Sequence, residues 1–191
     1  MLKALPKHVP ISVDTYKAKT AEAALKAGAH IINDIWGLMH DDNMAHVVAH
    51  YNAGIIIMHN RHSKDENINI INDMIAFFEV SLKHAADAGI TSSNITLDPG
   101  IGFGKTHIQN LDALKSVAQL KAHFNLPILV GASRKSFINT LHQSDVSQRL
   151  GGTLAAHLFA AQQGASLLRV HDVAMHMQAL AVWKSLEIEN G

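Results

Sequence analysis

No cysteine occurs in the 191 residues. Disulfides, thiolate nucleophiles and cysteine-ligated metals are therefore excluded, and the composition fits a reducing cytosol, so a cytoplasmic location is expected. An excess of charge of one sign is also missing, since Lys+Arg and Asp+Glu stand at 16 each. No global field draws the chain to nucleic acid or to an acidic membrane, and neither is expected as a partner. Any anionic ligand must be held by local groups. Long apolar runs are absent as well. Ile55-Ile56-Ile57-Met58 falls far short of the ~20 residues that cross a bilayer, and Met1 to Val9 lacks the apolar stretch of a signal peptide. The 14 histidines lack the paired spacing of a metal site. His30, His50, His84, His107, His123 and His157 lie in different segments and read mostly as surface positions. There is no internal repeat, low-complexity tract or linker. What remains is 48% hydrophobic and 17% charged, the balance of a packed globular chain. The length suits a single domain spanning residues 1–191.

Short β-branched runs alternate with longer helical patterns. Strands are predicted at Ile11–Asp14, Ile31–Asp34, Ile55–His59, Ile95–Asp98, Pro127–Gly131 and Leu167–Val170. Helices are predicted at Thr15–Ala27, Asp41–Ala53, Ile71–Ala88, Leu111–His123, Arg134–Leu141, Ser144–Gln163 and Val173–Leu186, with polar loops between. Strand followed by helix, repeated, implies an α/β fold with a parallel sheet and right-handed crossovers. The strands end in Asp14, Asn33, His59, Asp98, Gly131 and Arg169, and polar groups at the C-terminal ends of parallel strands are how (β/α)₈ barrels build active sites. An open doubly wound sheet would carry a glycine fingerprint after its first strand. That place holds Asp14-Thr15-Tyr16-Lys17, so the expectation is an incomplete TIM (β/α)₈ barrel of about six βα units.

The strand-end segments carry the chemistry. In Leu97-Asp98-Pro99-Gly100-Ile101-Gly102-Phe103-Gly104-Lys105, glycines let backbone approach a ligand closely and Phe103 offers an aromatic wall. A carboxylate at a strand end must be hydrogen-bonded to be tolerated, and a flat heterocycle with adjacent N–H donors would satisfy Asp98 bidentately. Read alone, Asp98 is equally a turn organiser. Gly131-Ala132-Ser133-Arg134-Lys135-Ser136 opens a helix with two cations and two hydroxyls. Cations there oppose the helix dipole, which suggests an anionic or acceptor ligand, and Ser136 is placed to cap. Arg169 and His171, two residues apart in a predicted strand, share a face and form a clamp for phosphate or pyrophosphate. An Arg169–carboxylate pair within the barrel is the alternative, and Asp172 is a candidate cap for the last helix. Asp14 and Asn33 complete the set, Asn33 being able to donate and accept. Met58 packs against either the ligand or the core.

Together, Ser12-Val13-Asp14-Thr15, Ile32-Asn33-Asp34, Met58-His59, Leu97-Asp98-Pro99-Gly100 with Gly102-Phe103-Gly104-Lys105, Ser133-Arg134-Lys135-Ser136 and Arg169-Val170-His171-Asp172 resemble the dihydropteroate synthases. The resemblance covers nearly the whole chain in the family's order. It implies a TIM barrel that joins 4-aminobenzoate to 6-hydroxymethyl-7,8-dihydropterin diphosphate, giving dihydropteroate and pyrophosphate in folate biosynthesis. On that resemblance Asp98, Asn33 and Asp14 read the pterin, with Lys135 a further contact and Phe103, Met58 and Gly131 lining it. Asn33, Arg169 and His171 hold the pyrophosphate. Ser136 serves the aminobenzoate carboxylate and Arg134 supports that region. Lys135, Arg169 and His171 are the catalytic candidates. The resemblance also implies Mg2+ and a homodimer. The family's first two βα units have no counterpart before Pro10, so an N-terminally truncated chain is expected. The magnesium-binding Asn belongs to that part of the family, and no metal ligand is assigned here. The alternatives are a catalytically incomplete pterin-binding fragment and a methyltetrahydrofolate-binding, methyltransferase-type domain. The Ser133–Ser136 run and the Arg169–His171 clamp favour the synthase, because a methyl carrier has no pyrophosphate to hold.

Overall fold

A computed structural model describes residues 9–187. Four parallel strands, β1 (Ser12–Asp14), β2 (Ile31–Asp34), β3 (Gly54–Met58) and β4 (Ile95–Asp98), lie side by side in chain order. β5 (Leu129–Val130) and β6 (Leu167–Leu168) pair as a second parallel sheet. A bridge between Leu97 and Ile128, with the Leu97 N–H donating to the Pro127 carbonyl at 2.9 Å, carries the curvature from one sheet to the other. Eight helices accompany these strands among the described residues: α1 (Ala18–Lys26), α2 (Met44–His50), α3 (Ile70–Asp87), α4 (His107–Lys115), α5 (Val117–Phe124), α6 (Ser136–Leu141), α7 (Leu150–Gln162) and α8 (Val173–Glu187). The result is an arc of six βα units, the expected incomplete barrel. β1 and β6 are each paired on one side only among the described residues.

The core lies between strands and helices. Ile32, Ile55, Ile57, Leu97, Ile128 and Val130 are buried under Met44, Met74, Phe78 and Leu120 of the helices. α3 shows how the pattern acts: its buried residues Ile70, Met74, Phe78, Ser81 and Ala85 recur every three or four positions, the period that keeps one helix face inward. Asn69 starts it by accepting hydrogen bonds from the Ile71 and Asn72 N–H groups at 3.0 and 3.1 Å, which satisfies two of the amides a helix start leaves unpaired. Thr106 and Gln109 form a reciprocal capping box on α4.

Register places the site. Asp14 sits beside Asn33 and Met58 beside Asp98, so the polar ends of β1 to β4 gather on one rim. Several predicted boundaries change. The single helix expected over Leu111–His123 is two, divided at Ser116, whose hydroxyl donates to the Ala113 carbonyl at 2.9 Å; a serine can bond its own turn in place of continuing the helix. The segment Ser144–Gln163 begins with a 3₁₀ turn at Val146–Gln148 before α7. Asp41 does not cap the helix that follows it. Its Oδ2 accepts from the Ala18 N–H at 2.8 Å, so it caps α1 from across the fold, and that bond, the largest influence, holds its carboxyl below the usual range. The predicted strand Leu167–Val170 ends at Leu168, leaving Arg169 and His171 in the loop beyond it.

Candidate active site

At the C-terminal ends of the strands opens a cleft of about 310 Å³. Met58 and Asp98 come from β3 and β4, and Ile101 and Phe103 from the glycine loop. Gly131, Ser133 and Lys135 follow β5, and Arg169, Val170 and His171 follow β6. The cleft thus brings together Met58, Asp98, Phe103, Gly131, Lys135, Arg169 and His171 of the residues expected from the sequence.

Asp98 is only 5% exposed. Its Oδ1 accepts the Gly100 N–H at 2.7 Å, while Oδ2 makes no hydrogen bond among the described residues. Burial pushes its carboxyl up to about 6, against the opposing pull of that N–H and of Lys105, Lys135 and Arg169. The turn that delivers the N–H demands glycine. Gly100 has φ +66°, and a Cβ there would lie 1.9 Å from the His59 carbonyl oxygen. The Lys135 ammonium stands 4.2 Å from the centroid of the Phe103 ring, a cation–π contact between two residues that line the cleft with Asp98. Burial lowers the Lys135 pKa, and Asp98 counteracts the fall.

In the same cleft His171 Nδ1 lies 2.8 Å from Ser133 Oγ. Asp14 and Asn33 stand at the rim. Asn33 Nδ2 donates to Asp14 Oδ1 at 3.0 Å, and Arg169 Nη2 donates to Asp14 Oδ2 at 2.5 Å. The alternative partner foreseen for Arg169, a carboxylate, is thus present, but the pair is about half exposed and Arg169 still lines the cleft. Asn33 Oδ1 is buried without a partner, an acceptor left for a donor not among the described side chains.

Two residues depart from the sequence reading. Ser136 is the first residue of α6 and makes no cap bond; Lys135 occupies the N-cap position, and Ser136 stands exposed outside the cleft lining. Asp172 does not cap α8 with its carboxylate, which instead takes the Arg134 guanidinium at 2.8 and 3.0 Å. Arg134, at φ +58°, is thereby turned from the cleft. Its left-handed backbone is held by its N–H donating to Thr153 Oγ1 and by Arg149 Nη1 donating to its carbonyl, each at 3.0 Å.

Sequence reasoning missed three groups. Lys105 is only 2% exposed and folds back into the glycine loop, donating to the Gly100 and Phe103 carbonyls at 3.1 and 3.3 Å and meeting His59 Nδ1 at 2.7 Å. The ionised Asp73 carboxylate only accepts, so His59 Nε2–H donates to Asp73 Oδ2 at 3.0 Å and Nδ1 of the neutral ring is the lone pair that meets Lys105. Asp73 Oδ1 in turn takes Arg61 Nη1 at 2.6 Å. Burial brings Lys105 down to about 7 and His59 down to about 3. Ser133 orients His171, and its place in the Ser133–Ser136 run was the available signal. The third group is His157 with His176, both buried, which corrects the surface reading of His157. Nothing in the sequence spacing marks either. Beside the cleft, Trp36 stacks on His62 with centroids 4.3 Å apart.

The sequence pattern of a family described as pterin binding enzymes matches residues 1–171. This chain belongs to that family. Its relatives are dihydropteroate synthases. The protein of Clostridium beijerinckii is 44% identical over 172 residues, covering 90% of this chain and 63% of its own length. A Thermus thermophilus structure in complex with 6HMPPP superposes with a TM-score of 0.86 at 40% identity, covering 94% of this chain and 73% of that one. The Xanthomonas albilineans enzyme with 4-aminobenzoic acid gives a TM-score of 0.89 at 37% identity, over 94% of this chain and 65% of that one. The chain thus spans less than two thirds of the Clostridium beijerinckii relative. As a pterin-binding family member it places its cleft at the strand ends, where its barrel architecture builds sites. Among the described residues no three His, Asp or Glu side chains converge to hold a metal ion. No described helix is long and apolar enough to cross a membrane.

Proposed function

We propose that the cleft binds 6-hydroxymethyl-7,8-dihydropterin diphosphate and 4-aminobenzoate and condenses them to dihydropteroate and pyrophosphate. The observation that carries this reading is Asp98, a buried carboxylate with one oxygen unused, lining one cleft with the Lys135–Phe103 pair and with Arg169 and His171. A pterin edge with adjacent N–H and amino donors pairs with that carboxylate, and the Lys135 ammonium donates to a ring acceptor. The diphosphate then lies toward Arg169 and His171, where a planar guanidinium suits phosphate oxygens.

In the reaction the aromatic amine nitrogen forms a bond to the pterin methylene carbon as the carbon–oxygen bond to diphosphate breaks. The electron pair leaves with pyrophosphate, and the amine loses its proton to solvent or to the departing phosphate. Asp98 favours the positive charge that develops on the pterin, while Arg169 and His171 stabilise the negative charge on the leaving group. The cationic side of the cleft supports a diphosphate substrate over a methyl carrier. Magnesium, implied by the family, would when bound help neutralise the negative charge of the diphosphate. Second-copy association is part of the proposal. Val173, Met177 and Val182 of α8 expose apolar surface, and light scattering would measure it.

Calorimetric titration with a pterin diphosphate analogue tests the site. Binding by the natural chain that is lost in Asp98→Asn supports it, and pyrophosphate release on adding 4-aminobenzoate tests turnover. Equal affinity in the natural and Asp98→Asn chains would sink the assignment.

A further inference from the structure

We infer that His157 and His176 are positioning residues that lock the two phosphate-facing loops together through a directional relay of neutral imidazoles. The inference rests on the diphosphate reading of the cleft. His157 lies on α7 and His176 on α8, at 0% and 4% exposure. The Ala132 N–H donates to His157 Nε2 at 3.0 Å. A backbone N–H can only donate, so Nε2 is a lone pair and the proton of the neutral ring sits on Nδ1. That Nδ1 meets His176 Nε2 at 2.8 Å, which makes the second Nε2 an acceptor too. His176 Nδ1–H then donates to the Asp172 carbonyl at 2.8 Å. All four ring nitrogens are used, and the polarity of each follows from one backbone amide.

The chain of bonds runs from the loop after β5 to the loop after β6. Those loops carry Ser133 and Lys135 on one side and Arg169 and His171 on the other. Two further links join them: the Arg134–Asp172 ion pair and the Ser133 Oγ–His171 Nδ1 contact. The relay fixes Ala132, next to Ser133, and Asp172, next to His171. It therefore sets the spacing of the Ser133–His171 pair beside Arg169. A buried imidazole serving only as core filler would leave polar nitrogens unsatisfied, which is costly. Here burial and full satisfaction coincide, and both ends of the relay lie one residue from a cleft residue.

The relay touches both loops that face the diphosphate, whereas of the pterin contacts only Lys135 lies on a relayed loop and Asp98 does not, and a binding split tests it. The probes are inorganic pyrophosphate and 6-hydroxymethylpterin without phosphate, titrated calorimetrically into the full chain. His157→Leu keeps apolar volume and removes both bonds. Pyrophosphate affinity should fall about tenfold or more, a 1.4 kcal/mol change, with pterin affinity falling much less. His157→Gln, which can accept and donate, should recover part of the loss. Nitrogen-15 spectra of labelled histidine should show both rings neutral with Nδ1 protonated, and the Ala132 amide should lose exchange protection in His157→Leu. Unchanged pyrophosphate affinity in a folded His157→Leu chain, equal loss of both ligands, or an Nε2-protonated tautomer would overturn the relay. Should His157→Leu fail to fold, the wild-type tautomers and the same titrations on His176→Gln decide the matter. Failure of the wild-type chain to bind pyrophosphate overturns the diphosphate reading instead, which separates the two ideas.

Discussion

A carboxylic acid poised near pH 6 at the floor of a cleft makes ligand binding sensitive to mild acid. Burial raises Asp98 to about 6, and only the ionised form accepts two N–H donors at once. Pterin affinity should therefore be constant above about pH 7 and weaken as pH falls through 6, approaching tenfold per pH unit. Calorimetry from pH 5 to 8 would trace that curve, and Asp98→Asn should bind weakly with no step. The neighbouring glycine is equally exacting. Gly100→Ala meets both a left-handed backbone and a carbonyl 1.9 Å from the new Cβ, so a loss of roughly 2–4 kcal/mol is expected in urea unfolding. Asp98 was legible in the sequence because strand end, proline and glycines converge on it. Lys105 was not, although it stands in the same run. A lysine after a glycine loop ordinarily faces water, and only the tertiary fold shows it turned inward onto His59.

At the level of elements, local caps decide where helices start. Asn69→Ala removes the acceptor for two amides of α3 and should cost about 1 kcal/mol in urea denaturation, with the pterin site untouched. The β-branched strands were readable to within about a residue in β2 and β4, where a short apolar run ends in a polar residue. Helix limits were less readable wherever a side chain crosses the fold. Asp41 looks like the start of its own helix in sequence, yet its partner amide lies 23 residues earlier on α1. Ser116 breaks a helical pattern that hydrophobic spacing alone would continue. β6 proved shorter than its apolar run, so the expected strand geometry of Arg169 and His171 gave way to a loop that still delivers both to the cleft.

For the molecule as a whole, buried bases govern the response to acid. His157 is lowered to about 4, mainly by burial and then by His176, and His59 to about 3. Both folded values lie below the ordinary value of 6.5, so the unfolded chain binds more protons below that pH. The contribution of these two imidazoles is complete above about pH 6.5 and declines as pH drops toward 4, by roughly 1.4 kcal/mol per pH unit for each group in that window. Asp98 and Asp34, both raised by burial, oppose this, since their protonation relieves a buried charge, while the lowered carboxyls of Asp41 and Asp73 add to the decline. Thermal melts from pH 7.5 to 4.5 should show a falling midpoint, and His157→Gln should flatten part of the slope. The stack of Trp36 on His62 has an optical consequence. An imidazole in van der Waals contact drains the excited indole, so Trp36 should be dim while the loop after β3 lies against the loop after β2. Any ligand that lifts that loop will brighten it. With Trp183 on α8 as the other indole of the chain, a Trp183→Phe protein would report loop position by its own fluorescence, with no dye attached.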